Sequence, residues 1–428
     1  MKFCKSFSEY AVYLFVFLLP WQTKLILRAS ETNFTEISLY LSQLLFLVIL
    51  VPFFIFKIKE RKTETKTSIV WYFLVGLELF ILLSFFFAPD KLLAFYHYAI
   101  FLMGLALFYL IREGTERNNY QECYLNRAKI IYAFLASILL QSLLAIYQFL
   151  TQKSFACKYL GLALHDPEAS GTSVIEVASG RWLRAYGGMD HPNILGGVLV
   201  IALILSAYLL VKKKIIRSKN EISELIFLFI VYFFSLFALF FTFSRSAWIA
   251  FVIGLIILLI SLIKKRDRFI IGRYIALIFF STILILVTAL PHQDLVLTRI
   301  KMDSRLEQKS ITERSSYISQ AGELIRKNFI FGVGTGNYTS VLKLNDESKK
   351  SAWDYQPVHN TFLLIFAEGG VFSFLFFAGF ILIFTKGVFR REYSWAIWGA
   401  LIILLLLDHW LFSLPFGVLF LFLILGLI

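Results

Sequence analysis

The 428-residue sequence predicts an all-α polytopic membrane protein of about twelve transmembrane helices, with a large helical loop on its outer side. Three observations carry that prediction. Apolar residues form 59% of the chain and charged residues 16%, against about 45–50% and about 25% in soluble domains. Apolar runs long enough to cross a bilayer recur along the whole length. Lys and Arg collect in alternate short connections. The 47 Phe residues exclude a disordered chain. Cys4, Cys123 and Cys157 have no metal-ligand or disulfide-framework spacing.

The apolar runs fall at 7–27, 37–56, 69–88, 92–111, 130–150, 194–211, 225–243, 247–263, 269–290, 360–385, 395–412 and 416–428. The first is long, contains Pro20 and Trp21 and lacks a small-residue cleavage site, so it is expected as a span and not a cleaved signal peptide. The run at 395–412 is interrupted by Asp408 and His409. Basic residues cluster at 57–66, 112–129, 212–219, 264–273 and 386–391; with Lys2 and Lys5, that side holds 24 of the 42. These short basic loops are expected in the cytoplasm, with both termini. The net charge of +14 is then mainly topological, and a nucleic-acid role is not indicated. The expected organisation is one transmembrane domain over 1–428. A smaller periplasmic loop spans 151–193, and a large one spans 291–359 with amphipathic helices.

Four outer segments hold the candidate chemistry. In 181–197, RWLRAYGGMDHPNILGG, Arg181 and Arg184 converge on the start of a helix whose first turn holds Pro192. That is either an anion site or a re-entry loop with interfacial arginines. In TFSRSAW, 242–248, Arg245 lies between two apolar runs, where it either snorkels outward or has a partner. In 311–338, Tyr317, Ile318, Ala321, Leu324 and Ile325 share one helical face, and Arg314 shares it too. Arg314 therefore either meets an anion or keeps its head in water. The GVGTGN that follows lacks the Gly-Lys-Ser/Thr ending of a nucleotide loop and reads as a turn. In HNTFLLIFAEGG, 359–370, His359 can take a proton from a hydroxyl, with Asn360 beside it, or can be an inert interfacial residue. Glu78, Asp408 and His409 form either a proton path or polar contacts between helices.

Taken in order, these segments resemble the O-antigen ligase family, whose members share a domain with O-antigen polymerases. The residues concerned are R-x6-H-P-N at 184–193, FSRSAW at 243–248, Glu313-Arg314 followed by the FGVGTGN turn, and His359-Asn360 with Gly370 beyond. Tyr317 stands where the family often has Trp, and Ser373 closes the glycine stretch where Gly, Thr or Tyr is usual. The resemblance implies an inverting, metal-independent, GT-C-like membrane glycosyltransferase without cofactors. It would take a glycan from undecaprenyl diphosphate to a lipid A-core hydroxyl at the periplasmic face of the inner membrane. It also implies roles. Arg184, Arg245 and Arg314 pair with the diphosphate, His359 is the general base, and Arg181, Asn193, Asn360 and Gly370 support them. An O-antigen or exopolysaccharide polymerase with the same donor is the alternative. A protein O-oligosaccharyltransferase or a lipid-linked glycan transporter fits less well. The partners implied are the lipid-linked donor, the glycan acceptor and the bilayer, with no nucleotide or nucleic acid.

Overall fold

Apolar side chains that cannot face water drive this chain into helices packed side by side. The computed structural model describes residues 2–32, 34–59, 68–115, 125–213, 218–302, 304–346, 351–387 and 391–428. Helix α1 (Lys2–Leu18) leads into an antiparallel hairpin, β1 (Lys24–Arg28) and β2 (Ile37–Tyr40), with Lys24 opposite Tyr40. Helices α2 (Leu41–Lys59), α3 (Ile69–Ser84), α4 (Lys91–Thr115) and α5 (Arg127–Thr151) follow. A second hairpin, β3 (Val174–Val177) and β4 (Gly180–Leu183), precedes α6 (Pro192–Lys212), α7 (Lys219–Thr242), α8 (Arg245–Lys264) and α9 (Arg268–Ala289). Helices α10 (Gln293–Lys301), α11 (Arg305–Lys327) and α12 (Tyr338–Leu344) occupy the segment expected as the large loop. Last come α13 (Thr361–Gly387), α14 (Glu392–Leu407), α15 (Trp410–Ser413) and α16 (Pro415–Leu427).

Among the described residues, eight helical stretches are long and apolar enough to cross a membrane. Four other expected runs coincide with shorter apolar helices, Ser8–Leu18, Leu41–Phe53, Glu392–Leu407 and Pro415–Leu427. The protein is thus an all-α polytopic membrane protein. Two expected spans are corrected. The run at 7–27 stops as helix at Leu18, because Pro20 disfavours helix in the residue before it and cannot continue the ladder. The run at 37–56 begins as a strand paired to residues 24–28. Of the basic clusters, Arg61, Lys62, Lys66, Arg117, Lys214, Arg217 and Arg390 lie outside the described residues, as does Cys123.

Helix α6 sits at the centre, packed against α5, α7, α8, α9 and α14. It is apolar all round, as a helix enclosed by others should be. Two small residues set its spacing. A Cβ on Gly196 would stand 2.7 Å from that of Ala247 on α8, and one on Gly197 would stand 2.6 Å from the Trp410 ring. Close approach here brings the starts of α6 and α8 to one place.

Helices α13 and α14 are both interrupted. Gly370 has φ 75°, breaking α13, and its missing Cβ leaves room for the Ile330 carbonyl. The amides freed by that break and by the adjoining turn pair reciprocally. Val333 and Gly334 N–H donate to the carbonyls of Ala367 and Glu368, and Val371 N–H donates to Phe329 O, each at 2.9 Å. Helix α14 ends at Leu407. Two carbonyls at that end are met by side chains from the start of α13: Asn360 Nδ2 donates to Leu406 O (3.0 Å) and Thr361 Oγ1 to Asp408 O (2.9 Å).

On α11, Tyr317, Ala321 and Leu324 are buried as expected, but Ile318 is 56% exposed and leaves that face. Glu78 is buried on α3, with neither carboxylate oxygen hydrogen-bonded to a described residue, and is not part of the cavity described next.

Candidate functional site

The starts of three helices converge on one cavity of about 1070 Å³. At α6, Pro192 occupies the first turn and His191 caps it, its Nδ1 accepting from Asn193 N–H at 3.1 Å. At α8, Phe243 takes a left-handed φ of 47°, Ser244 caps the helix, and Arg245 opens it. At α13, Asn360 Oδ1 accepts from Leu363 N–H at 3.0 Å. Helix starts present unpaired N–H groups and partial positive charge, so the cavity favours anions before any side chain is counted.

The arginines strengthen that preference in different ways. Arg184 is buried and held on three sides: Nε donates to Thr242 O (2.7 Å), one terminal nitrogen to Ser173 Oγ (2.7 Å) and the other to Asn193 Oδ1 (2.8 Å). Burial, then the neighbouring Arg299, works against its charge, yet a guanidinium stays protonated at physiological pH. Arg245 has the partner its position called for. Glu307 Oε2 lies 3.1 Å from its terminal nitrogen, a charge contact without hydrogen-bond alignment. The other oxygen of Glu307 binds Arg299, which also donates to Phe243 O (2.6 Å from its terminal nitrogen). Glu307 is 4% exposed, so one buried carboxylate serves two guanidiniums. Arg314 lines the same cavity half-buried and makes no hydrogen bond or ion pair with a described residue. Arg181, on β4, also lines it, with a buried Nε that has no hydrogen-bond partner among the described residues.

Imidazoles gather nearby. The His359 ring stacks on Tyr317 (5.9 Å, 11° between planes) and meets His409 edge-on at 5.1 Å. Its Nδ1 is buried without a hydrogen-bond partner among the described residues. Burial lowers the His359 pKa below its ordinary value, Asp408 opposing and Arg314 reinforcing that effect. His191 and His409 are both lowered to about 3, chiefly by burial. All three rings are therefore neutral near pH 7. Because Nδ1 of His191 accepts a hydrogen bond, its proton resides on Nε2. Burial pushes the Asp408 carboxyl up, yet it stays below its ordinary value, with the hydrogen bond from the His409 amide among the groups that lower it. Its oxygens accept from Asn193 Nδ2 (3.3 Å) and His409 N–H (2.9 Å).

The structure thus gathers Arg181, Arg184, Asn193, Arg245, Arg314 and His359 around one space. Asn360 and Gly370 stand apart. Asn360 is committed to capping α13 and to Leu406, so it fixes the backbone beside His359. Gly370 provides the kink lower in that helix. Sequence reasoning missed His191, Arg299 and Glu307, and left Asp408 and His409 unresolved. A signal existed for Glu307: Ser304-Arg305-Leu306-Glu307 has capping-box spacing. Its partners, at Arg245 and Arg299, could not be read from it. His359, Asp408 and His409 place ligand-type atoms within 4.8 Å of one another and are the residues that could hold a cation. Asp408 is already engaged by Asn193 and the His409 amide.

A family comparison bears directly on these apolar helices, clustered guanidiniums and neutral imidazole. Residues 230–378 match the family model described as O-antigen ligase, a membrane glycosyltransferase-like ligase family. The matched segment contains Arg245, Arg299, Glu307, Arg314 and His359. Arg184, His191 and Asp408 reach the cavity from outside it. Among curated proteins, none matches the chain.

Proposed function

We propose that this protein transfers a glycan from undecaprenyl diphosphate to a lipid A-core hydroxyl at the periplasmic face of the inner membrane, with inversion and without a metal. The observation that carries the reading is the juxtaposition of Arg314, which has no partner among the described residues, with a neutral His359 in a cavity also walled by Arg184 and Arg245. As the glycosidic bond breaks, negative charge collects on the diphosphate, and fixed guanidiniums stabilise it where other enzymes use a divalent cation. His359 takes the proton of the acceptor hydroxyl as its oxygen attacks the anomeric carbon from the face opposite the leaving group. The acceptor–sugar bond forms as the sugar–phosphate bond breaks, and the lipid diphosphate departs with its electron pair. Asp408 stabilises the imidazolium that results. The donor linkage itself supplies the driving force.

The test is transfer by the purified chain in liposomes. The donor is an undecaprenyl-diphosphate glycan, offered lipid A-core or a second carrier-linked repeat, with products resolved on gels. His359→Ala should lower the rate by about 10²–10⁴-fold. Wild-type transfer by that variant at equal expression removes His359 as the base. Elongation of the carrier-linked repeat with no product on lipid A-core makes the protein a polymerase instead.

A further inference from the structure

The cavity has two chemically different ends. One holds Arg184, Arg245, Arg299 and Arg314. The other is formed by the β1–β2 hairpin and the turn just before α6, where Lys24, Glu36 and Asp190 act on one another electrostatically. Lys24 is paired to Glu36 at 2.5 Å, so it brings no free cation. The same Glu36 oxygen accepts from Ser38 Oγ at 2.6 Å, which leaves its second oxygen open. Asp190 is exposed to the cavity and makes no hydrogen bond or ion pair with a described residue. The hairpin is braced from α4, where Tyr96 OH donates to Ser38 O at 2.7 Å. Phe34 links this end to the centre, its ring 5.3 Å from His409, which in turn abuts His359 at 5.1 Å. His359 therefore stands between a cationic end and a mildly acidic, aromatic one.

We propose that the hairpin end is the acceptor site, and that Asp190, Glu36, Tyr40 and Phe34 receive a neutral, hydroxyl-rich saccharide whose attacking hydroxyl reaches His359. Open carboxylate oxygens accept hydrogen bonds from sugar hydroxyls, and aromatic rings pack against the apolar faces of sugar rings. The field also sorts the two substrates. Unpaired carboxylate repels a phosphate from this end, while the arginines hold it at the other. This inference rests on the transferase reading for its direction, but the sugar site can be tested separately.

The full chain in nanodiscs is probed in two arms. One measures binding of undecaprenyl diphosphate, and the other measures saturation-transfer NMR from protein to a panel of neutral methyl hexopyranosides. Asp190→Asn and Glu36→Gln, each close in shape to the native residue, should weaken the sugar signal by about tenfold and leave undecaprenyl diphosphate binding within about twofold. Arg314→Ala should do the reverse. Sugar binding that is unchanged in both carboxamide variants overturns the proposal, as does equal loss of both ligands. Lost sugar signal replaced by tight binding of calcium or magnesium at wild-type Asp190 also overturns it. If the sugar binds through Asp190 but undecaprenyl diphosphate does not bind, the donor assignment fails and the saccharide site stands. If the diphosphate binds and no hexoside does, the sugar site alone fails.

Discussion

Guanidiniums in this cavity differ in how much of their bonding capacity the protein has already used. Arg184 has protein oxygens on all three nitrogens, while Arg314 has none among the described residues. On the proposed reading, a diphosphate gains most at Arg314 and Arg245. Removing the Arg314 head should cost about 10²–10³-fold in transfer rate, measured by single-turnover kinetics with the fold checked by thermal melting. An unaltered rate in Arg314→Ala would leave that guanidinium as a solvated helix residue. Glu307 makes the opposite prediction. Glu307→Gln leaves the buried Arg299 and the partly buried Arg245 without their counter-charge and should destabilise the protein by about 3–5 kcal/mol, read as a lowered melting temperature. The pH profile follows from His359, which faces Arg314, Asp408, His409 and Tyr317. Its depressed pKa keeps it unprotonated through neutral pH. Transfer should therefore stay level on acidification to about 6.5, the ordinary imidazole value, and fall only below it. A midpoint above that value would assign the base elsewhere.

At the scale of elements, the site depends on where helices stop. The starts of α6, α8 and α13 meet because Gly196 and Gly197 allow close approach and because the end of α14 is tied to Asn360 and Thr361. Gly197→Val would drive a side chain into Trp410, two residues from Asp408, and overpacking of this kind costs about 1–3 kcal/mol. The expected result is a lower melting temperature together with impaired transfer. Intact activity would show that the α6–α15 contact does not set the site. The starts of these helices were legible, because arginine or Pro-Asn at the edge of an apolar run marks the point where a span meets the interface. The carboxylate partners were not. Glu307 is separated from Arg245 by the whole of α8, α9 and α10, and Asp408 reaches Asn193 across 215 positions of sequence. Nothing periodic or local marks such pairs; they exist only once the helices have packed. The β-hairpin at 24–40 escaped sequence reasoning for a related reason. Its apolar strand residues continue the hydropathy of the adjoining helices, so composition alone merged them into spans.

For the whole molecule, the division of charge makes a topological statement that the family match leaves open. If the basic connections face the cytoplasm, a cysteine introduced at Lys265 should resist an impermeant maleimide in intact cells. One introduced at Lys309, on the cavity rim, should react. Labelling of both from one side would overturn the assigned orientation. A chelator should leave transfer unaffected if the guanidiniums carry the leaving group. Loss of activity restored by zinc would instead give His359, Asp408 and His409 a metal to hold.

The enclosure of α6 also has a bearing on biogenesis. Its neighbours α5 and α7 flank it in the chain, but α14 follows only after residues 213–391 have been made. An apolar helix can wait in lipid as an independent span and dock later. During synthesis, then, α6 spends an interval with one flank on acyl chains, and the cavity lacks Asp408 until that flank is covered. The complete cavity is therefore assembled last, after every guanidinium that lines it is already in the membrane, and a nascent chain stalled before α14 holds those guanidiniums without Asp408.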